Sequence, residues 1–117
     1  MIPHASEHQI QNAILGYLRY RGYKCFRMNS GGMRSVDSRG KEFLVRLHEA
    51  GTPDIMAFKT LRNNQGGVIG TQTLFVEVKA GKNKPTFLQL NKMQELEEYG
   101  AQCIVAYSVE DLESMGI

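Results

Sequence analysis

The sequence predicts an α/β domain in which a mixed β-sheet is flanked by helices. Two segments, at residues 6–21 and 86–99, have the spacing of apolar residues and the end signals that are typical of helices. Short apolar runs of strand length lie between and after them. Residues 74–78 lead through the second helix to a last apolar run at 102–107, and such a strand–helix–strand connection favours a parallel pair of strands.

The first helix has clear signals at both ends. Ser6 is placed to cap it, Gln9 occupies the capping-box position, and Gly22 is placed to end it. One apolar stripe follows the helical period and consists of Ile10, Ile14, Tyr17 and Leu18. This spacing predicts a helix that packs one face against the sheet.

Short strands and two loops are predicted between the helices. The strands are expected at residues 23–28, 43–47, 54–58 and 74–78. The polar, glycine-rich segments 33–40 and 61–70 are predicted to be flexible loops. The second helix starts at the cap Thr86 and ends at Gly100, and residues 109–115 are predicted to form a short acidic helix.

Length and composition predict one globular domain that spans residues 1–117. A hydrophobic share of 42% with 22% charged residues is ordinary for a globular chain. No apolar run approaches the ~18 residues that a membrane span requires, and the first residues lack the layout of a signal peptide, so we expect a cytoplasmic protein without a membrane partner. Cys25 and Cys103 lie in apolar runs, which favours buried free thiols over a disulfide.

The charges are unevenly distributed along the chain. Residues 19–62 carry ten Lys or Arg against four acids, a balance of +6, whereas residues 93–117 carry six acids and no Lys or Arg. This asymmetry predicts one face that binds a polyanion, although a solvated surface with uneven charge is an equal alternative. The residues predicted to hold the backbone of such a polyanion are Arg34, Arg39, Lys41, Lys82 and Lys84.

The predicted strand 74–78 carries charges that a buried strand does not need. Side chains alternate along a strand, so Glu77 and Lys79 point to the same face, roughly 7 Å apart along the chain. Burying unpaired charge is costly, which makes a functional site the better explanation. Asp54 follows Pro53 at the start of another strand, and pairing of the two strands would bring Asp54 and Glu77 onto one divalent cation.

Two short motifs resemble those of a known class of nucleases. Pro53-Asp54 and, further along, Glu77-Val78-Lys79 are similar to the PD-(D/E)xK signature. The resemblance implies that Asp54 and Glu77 bind a metal ion, Mg²⁺ or Mn²⁺, and that Lys79 orients the attacking water. The Val78 carbonyl is expected as a third ligand.

Three further positions narrow the resemblance. Glu7 in the first helix, Gly51 just before the Pro-Asp pair, and Gln89 early in the second helix are together similar to the virus-type replication-repair nuclease (VRR-NUC) family. The similarity runs over residues 5–107, nearly the whole chain. It implies a restriction-endonuclease-like core.

The roles of Glu7 and Gln89 depend on this resemblance. It implies that Glu7 completes the acidic cluster through metal-bound water and that Gln89 lies close to Lys79 and positions it. The residues themselves leave alternatives open. Glu7 in the first turn of a helix compensates the helix dipole, and Gln89 three residues after Thr86 completes a capping box.

The function predicted from these residues is a metal-dependent endonuclease that hydrolyses phosphodiester bonds in DNA. Similarity to the small stand-alone members of the VRR-NUC family implies a homodimer that acts on branched DNA such as Holliday junctions. The alternative is a nucleic-acid-binding module whose catalytic residues are idle and which serves a larger replication or repair assembly.

Overall fold

The computed structural model describes residues 5–28, 32–46 and 49–117. Along this part of the chain, one helix is followed by five strands, a second helix, a sixth strand and a third helix. They are α1 (Glu7–Tyr20), β1 (Lys24–Arg27), β2 (Gly32–Val36), β3 (Glu42–Arg46), β4 (Ile55–Arg62), β5 (Val68–Val78), α2 (Phe87–Glu98), β6 (Gln102–Ala106) and α3 (Val109–Ser114). The structure therefore confirms the predicted α/β class.

Four of the strands form one mixed sheet in the order β1-β4-β5-β6. The β1–β4 and β4–β5 pairs are antiparallel, whereas β5 and β6 are parallel, as the strand–helix–strand connection predicted. Strands β2 and β3 form a separate antiparallel hairpin. This hairpin lies in the segment that joins β1 to β4 along the chain.

The two faces of the sheet carry different side chains. The α1 face carries the buried residues Ile55, Ala57, Leu74, Val76 and Val78, which form one apolar core with α1, α3 and the C-terminal Ile117. Because side chains alternate along a strand, the neighbouring residues point to the opposite face, here called the α2 face: Asp54, Met56, Phe58, Thr73, Phe75 and Glu77. The chemistry of the predicted motifs thus lies on the face opposite the apolar core.

Helix α1 begins and ends where the sequence predicted. The Ser6 Oγ accepts a hydrogen bond from the Gln9 backbone N–H at 3.1 Å, and the Gln9 Oε1 accepts one from the Ser6 backbone N–H at 2.9 Å. The pair forms a complete capping box. Ile14 and Leu18 are buried in the core, so the predicted apolar stripe is the packed one.

The prediction of a loop at residues 33–40 is wrong, because Gly32–Val36 is strand β2. The turn that follows is built around Asp37, whose carboxylate accepts hydrogen bonds from the backbone N–H groups of Arg39 and Lys41 at 2.8 and 2.9 Å. The hydrogen bonds of β2 come from β3, which is several residues away along the chain. Local composition, rich in glycine and charge, gave no signal for this pairing.

The predicted loop at 61–70 is also wrong. Strand β4 continues to Arg62 and β5 starts at Val68, so the turn covers only residues 63–67. Asn63 closes this turn, because its Oδ1 accepts hydrogen bonds from the backbone N–H groups of Gln65 and Gly67 at 3.0 and 2.8 Å. Most of the side chains on this part of the hairpin are exposed, and the apolar alternation that marks a half-buried strand is therefore missing.

Helix α2 packs less of its surface than its sequence suggests. Met93 is its buried residue, whereas Phe87 and Leu90, predicted to lie on the same stripe, are 79% and 49% exposed. The helix contacts the sheet mainly through β6. None of the helices that the structure describes combines the length and apolar character needed to cross a membrane.

Candidate active site

Asp54 is held at the start of β4 by bonds to two other segments. Its Oδ2 accepts a hydrogen bond from the Val78 backbone N–H at 2.8 Å, and its backbone carbonyl accepts one from the Met28 N–H at 2.7 Å. The pairing of Ile55 with Val76 places Asp54 next to the end of β5. The Asp54 carboxylate is therefore oriented toward the strand that carries Glu77.

Glu77 is the buried charged residue of the sheet, with 2% of its surface exposed. Its Oε1 lies 3.6 Å from the Lys79 Nζ. Its Oε2 is buried and has no hydrogen-bond partner within the described ranges. Because buried polar atoms are nearly always paired, this oxygen marks a place where a further ligand is expected.

The surroundings raise the pKa of Glu77 from its ordinary value of 4.5 to about 8. Burial is the largest cause, and the nearby Asp54 carboxylate acts in the same direction, whereas the Lys79 ammonium opposes both. The neutral form of the carboxyl is thus favoured more strongly than in water when no cation is bound. A divalent cation between the two carboxyls would reverse this effect, since it favours the charged form.

The chemistry of this cluster fits a small divalent cation. Two carboxyl groups converge, and the buried Glu77 Oε2 offers an unused oxygen ligand. In the described ranges, no group of three or more His, Cys, Asp or Glu side chains is placed to hold a metal ion. A site with two carboxylates is still compatible with Mg²⁺, which commonly binds through one or two carboxylates and retains several waters.

Lys79 lies directly after β5 and points toward Glu77. Its backbone N–H donates to the Ala106 carbonyl at 3.0 Å, which continues the pairing with β6 beyond the end of the strand. The side chain is only 12% exposed. The predicted neighbours Asp54, Glu77 and Lys79 are thus brought together at one end of the β4–β5 pair.

Glu7 and Gln89 occupy helix N-termini. Glu7 is a half-buried residue in the first turn of α1, and it forms no three-acid cluster with Asp54 and Glu77. The Gln89 Oε1 accepts a hydrogen bond from the Thr86 backbone N–H at 2.9 Å, and the Gln89 backbone N–H donates to the Thr86 Oγ1 at 3.1 Å. The capping role of Gln89 is confirmed. The Gln89 Oε1 has a second lone pair, which can accept a further hydrogen bond.

The basic residues predicted to contact DNA lie on two loops. Lys82 and Lys84 are exposed in the segment between β5 and α2, a few residues after Lys79. The Tyr107 hydroxyl donates to the Asn83 carbonyl at 2.7 Å and ties this segment to the end of β6. Arg39 and Lys41 are exposed at the β2–β3 turn. The side chain of Arg34 lies outside the described residues.

The structure explains why position 51 is a glycine, which the sequence motif alone did not reveal. Its φ of +86° belongs to the left-handed region, and a Cβ at this position would lie 3.0 Å from both the Cγ and the carbonyl oxygen of Leu88. An ion pair between Lys92 and Glu49 joins the same two segments. Helix α2 is therefore packed directly against the segment that leads to Asp54.

Lys92 is a residue of this site region that the sequence analysis missed. It also lies 3.5 Å from the Glu95 Oε2, one turn further along α2. The spacing of Lys92 and Glu95 is visible in the sequence as an ordinary helical pair. The contact with Glu49 is not, because 43 residues separate the two partners.

The arrangement of these elements is similar to that of a known domain. A solved structure described as a VRR_NUC domain matches the chain with a TM-score of 0.56 and 18% sequence identity, over 95% of this chain and 95% of that one. The chain has the VRR-NUC fold. No family model and no curated protein matches the sequence.

The VRR-NUC fold accounts for the order of elements around the candidate site. Strands β4 and β5 carry Asp54 and Glu77, and the β5–α2 connection carries Lys79 and the exposed lysines. The expectation of a restriction-endonuclease-like sheet flanked by helices is confirmed. The roles of individual side chains are not part of this likeness and are argued from the contacts above.

Proposed function

We propose that the protein is a metal-dependent, structure-selective DNA endonuclease that hydrolyses phosphodiester bonds. The observation that carries this proposal is the buried Glu77 carboxyl, which has an unpaired oxygen and lies next to Asp54 and Lys79. A carboxyl in this state costs stability unless a cation or another ligand uses it. The VRR-NUC fold supports a nuclease-type domain.

Asp54 and Glu77 would hold Mg²⁺ or Mn²⁺ with the Val78 carbonyl as a third ligand. The ion would supply Lewis-acid stabilisation of the phosphate and a more acidic water. Asp54 is suited to its role because the Val78 N–H fixes one of its carboxylate oxygens beside Glu77. Glu77 is suited to its role because its Oε2 has no competing partner in the part of the chain that the structure describes.

Lys79 acts on the water and on the phosphate. Its ammonium is close enough to Glu77 to be held in place, and three donor hydrogens allow it to orient a water while it faces the reacting phosphate. In the reaction, a bond forms between the water oxygen and phosphorus, and the bond from phosphorus to the leaving sugar oxygen breaks. The positive charge of Lys79 stabilises the negative charge that develops on the phosphate oxygens.

Two residues would assist from the helices. Gln89 would position Lys79 by accepting from its ammonium with the second lone pair of Oε1, whose first lone pair accepts from the Thr86 N–H at the start of α2. Glu7 would act through metal-bound water. Both roles come from the resemblance to the VRR-NUC family, and the capping geometry at Gln89 is compatible with the first of them.

The substrate would be branched DNA such as a four-way junction, and the protein would act as a homodimer. Exposed basic residues near the site, Lys82 and Lys84, and others at the β2–β3 turn, Arg39 and Lys41, would contact phosphates without reading sequence. A two-fold dimer would present two sites to two strands of a junction. Both points follow from the family resemblance and from the uneven charge of the chain.

A cleavage assay tests the proposal. End-labelled four-way, flapped and linear duplex DNA are incubated with the protein in Mg²⁺, in Mn²⁺ and in chelator. We expect cleavage only with metal, fastest on branched DNA, and none with the Glu77→Gln or Lys79→Ala variants although both still bind DNA. Glu113→Gln is the matched control, because Glu113 is an exposed carboxylate on α3.

The alternative is a binding module with idle catalytic residues. Its distinguishing result is DNA binding without cleavage of any substrate in either metal. Normal cutting by Glu77→Gln would exclude the proposed metal ligand and leave the site unassigned.

A further inference from the structure

The β4–β5 hairpin extends well beyond the rest of the sheet. Strand β1 pairs with β4 only over Ile55–Phe58, and β6 pairs with β5 only over Leu74–Val78. Residues 59–73, here called the ribbon, therefore form a two-stranded projection whose outer edges are unpaired within the main sheet. The candidate active site lies at the other end of the same two strands.

The surface of the ribbon is basic and polar. No Asp or Glu occurs from residue 55 to residue 76, whereas Lys59 and Arg62 lie in the ribbon and Lys24 lies beside its base. The turn adds the amides of Asn63 and Asn64, which are exposed. A projection with this balance attracts a polyanion and presents hydrogen-bond donors to it.

A hollow at the base of the ribbon has the chemistry of a phosphate contact. It is lined by Lys24, Lys59, Thr60, Thr71 and Thr73, together with Gly22 and Phe58. Lys59 lies 5.2 Å from the centre of the Tyr23 ring, a cation–π contact that limits its motion. Cationic and hydroxyl side chains of this kind make most contacts of proteins with the DNA backbone.

The tip of the ribbon is ordered by its own side chains. The Arg62 guanidinium donates to the Gly66 carbonyl at 2.8 Å, which leaves several of its N–H groups for another acceptor. Leu61, Val68 and Ile69 are exposed large apolar residues near the turn. The tip thus combines a positioned cation with apolar side chains that can contact the apolar edges of bases.

We propose that the ribbon lies in a groove of the DNA arm that leads away from the cleavage site. The major groove of B-DNA is about 12 Å wide and accepts a two-stranded β-ribbon. From Asp54 to Arg62 there are eight residues, which at about 3.3 Å each span roughly 26 Å. At about 3.4 Å per base pair, the tip contacts DNA roughly eight base pairs from the cut. The inference rests on the proposed function, because the distance along the DNA is measured from the proposed cleavage site.

The competing occupant of the ribbon is a strand from another protein chain. Unpaired strand edges can pair with a further strand, and exposed apolar residues favour such pairing. The charge of the ribbon favours DNA over a protein strand. The segment from residue 55 to residue 76 carries two cations and no acid, which is complementary to the phosphates of DNA. Protein pairing is retained as an outcome of the test.

The first experiment measures binding without cleavage. Affinity for four-way DNA is measured in chelator as a function of salt for the wild type, for Lys59→Ala/Arg62→Ala, and for the charge-preserving Lys59→Arg/Arg62→Lys. If each cation contacts one phosphate, the alanine variant has a log–log salt slope shallower by about 1.8, so the wild type loses about twelvefold more affinity between about 50 and 200 mM salt. The charge-preserving variant retains the slope. Circular dichroism verifies that all three are folded.

The second experiment uses the length of the arm. Junctions closed by hairpin loops are prepared with arms of about 16 or about 6 base pairs. We expect the alanine variant to bind more weakly than the wild type on the long arms and equally on the short ones.

Two results would overturn the ribbon contact. One is an unchanged salt slope in the alanine variant. The other is a change from dimer to monomer in sedimentation with unchanged DNA binding, which would assign the ribbon to a protein contact. Because these readouts are taken in chelator, they are independent of catalysis. A protein that binds through the ribbon but never cuts would contradict only the proposed nuclease function.

Discussion

At the scale of single residues, the pattern of charges in strand β5 proved to be the informative one. Glu77 and Lys79 are two residues apart, which in a strand means the same face, and the structure places them 3.6 Å apart. The degree of burial of Glu77 could not be read from the sequence, because it depends on the strands that pair with β5 on each side. That burial is what raises its pKa to about 8.

The first prediction concerns the pH dependence of stability in the metal-free protein. The pKa of Glu77 in the folded state, about 8, lies above its ordinary value of 4.5, so the folded state binds more protons in this interval. Its contribution to stability is complete below about pH 4.5 and is lost as pH rises through about 8. We expect the free energy of unfolding of the wild type to fall over this window by on the order of a few kcal/mol relative to Glu77→Gln, which does not titrate.

Urea unfolding in chelator at several pH values measures this difference. Glu113→Gln, at an exposed position, should follow the wild type throughout. Parallel profiles of the wild type and Glu77→Gln would show that the Glu77 carboxyl titrates normally.

At the scale of elements, both long helices start with a complete capping box. In α1 the capping box predicted the first residue of the helix, because Ser6 and its partner Gln9 lie only three residues apart in the sequence. In α2 the same geometry involves Gln89, for which the VRR-NUC resemblance implies a second role. Both roles would use the amide oxygen of Gln89 as acceptor, so a substitution at its capping partner Thr86 is needed to separate them.

The second prediction separates capping from positioning at Gln89. Gln89→Glu retains an acceptor oxygen for the Thr86 N–H and should leave the melting temperature unchanged, because Glu and Gln both complete a capping box. It also retains an acceptor for the Lys79 ammonium, so kcat should stay close to that of the wild type. Gln89→Ala should lose both functions, with about 1 kcal/mol less stability and a roughly tenfold lower kcat, equivalent to about 1.4 kcal/mol. Thr86→Ala removes the other half of the cap and should lose about 1 kcal/mol of stability while kcat is retained. Unchanged kcat in Gln89→Ala would show that this residue only caps the helix.

The third prediction concerns the packing of α2 against the segment before Asp54. Gly51→Ala places a Cβ 3.0 Å from Leu88, whereas Gly66→Ala has a nearly identical φ of +84° and nothing within 4 Å. Both should lose the roughly 1–2 kcal/mol of a left-handed non-glycine residue. Gly51→Ala should lose about 1 kcal/mol or more beyond that, from overpacking, and should also reduce cleavage because Asp54 is displaced.

Chemical denaturation of the two alanine variants measures the difference between them. Adding Leu88→Ala to Gly51→Ala should recover part of the loss, since it removes the side-chain part of the overlap. Equal destabilisation by Gly51→Ala and Gly66→Ala would show that the segment before Asp54 moves away from Leu88 without loss of stability.

At the scale of the whole molecule, the sheet separates stability from chemistry. The apolar core with α1 and α3 lies on one face, while Asp54, Glu77 and Lys79 belong to the other. The ribbon extends the same two strands away from the site. The proposed hydrolytic site and the proposed DNA contact thus lie at opposite ends of the same two strands.

The fourth prediction links the site to the stability of the whole domain. We expect Mn²⁺ to bind the folded state through Asp54 and Glu77 and not to bind the unfolded state. At a concentration of 100 times the dissociation constant, the ion then raises the free energy of unfolding by about 2.7 kcal/mol and the melting temperature by roughly 10 °C. Asp54→Asn and Glu77→Gln should abolish the rise. Glu113→Gln should preserve it. Equal shifts in all four proteins would show that Mn²⁺ binds elsewhere.

The sequence by itself determined the helix boundaries, the α/β order, and the common direction of Glu77 and Lys79. Each of these depends on residues within a few positions of one another, through capping and the two-residue period of a strand. Only the tertiary structure decided that Asp54 meets Val78, that Gly51 packs on Leu88, and that residues 59–73 form a ribbon rather than a loop. These features depend on strand register and helix packing between residues that are far apart in the chain, and local composition carries no record of such pairing.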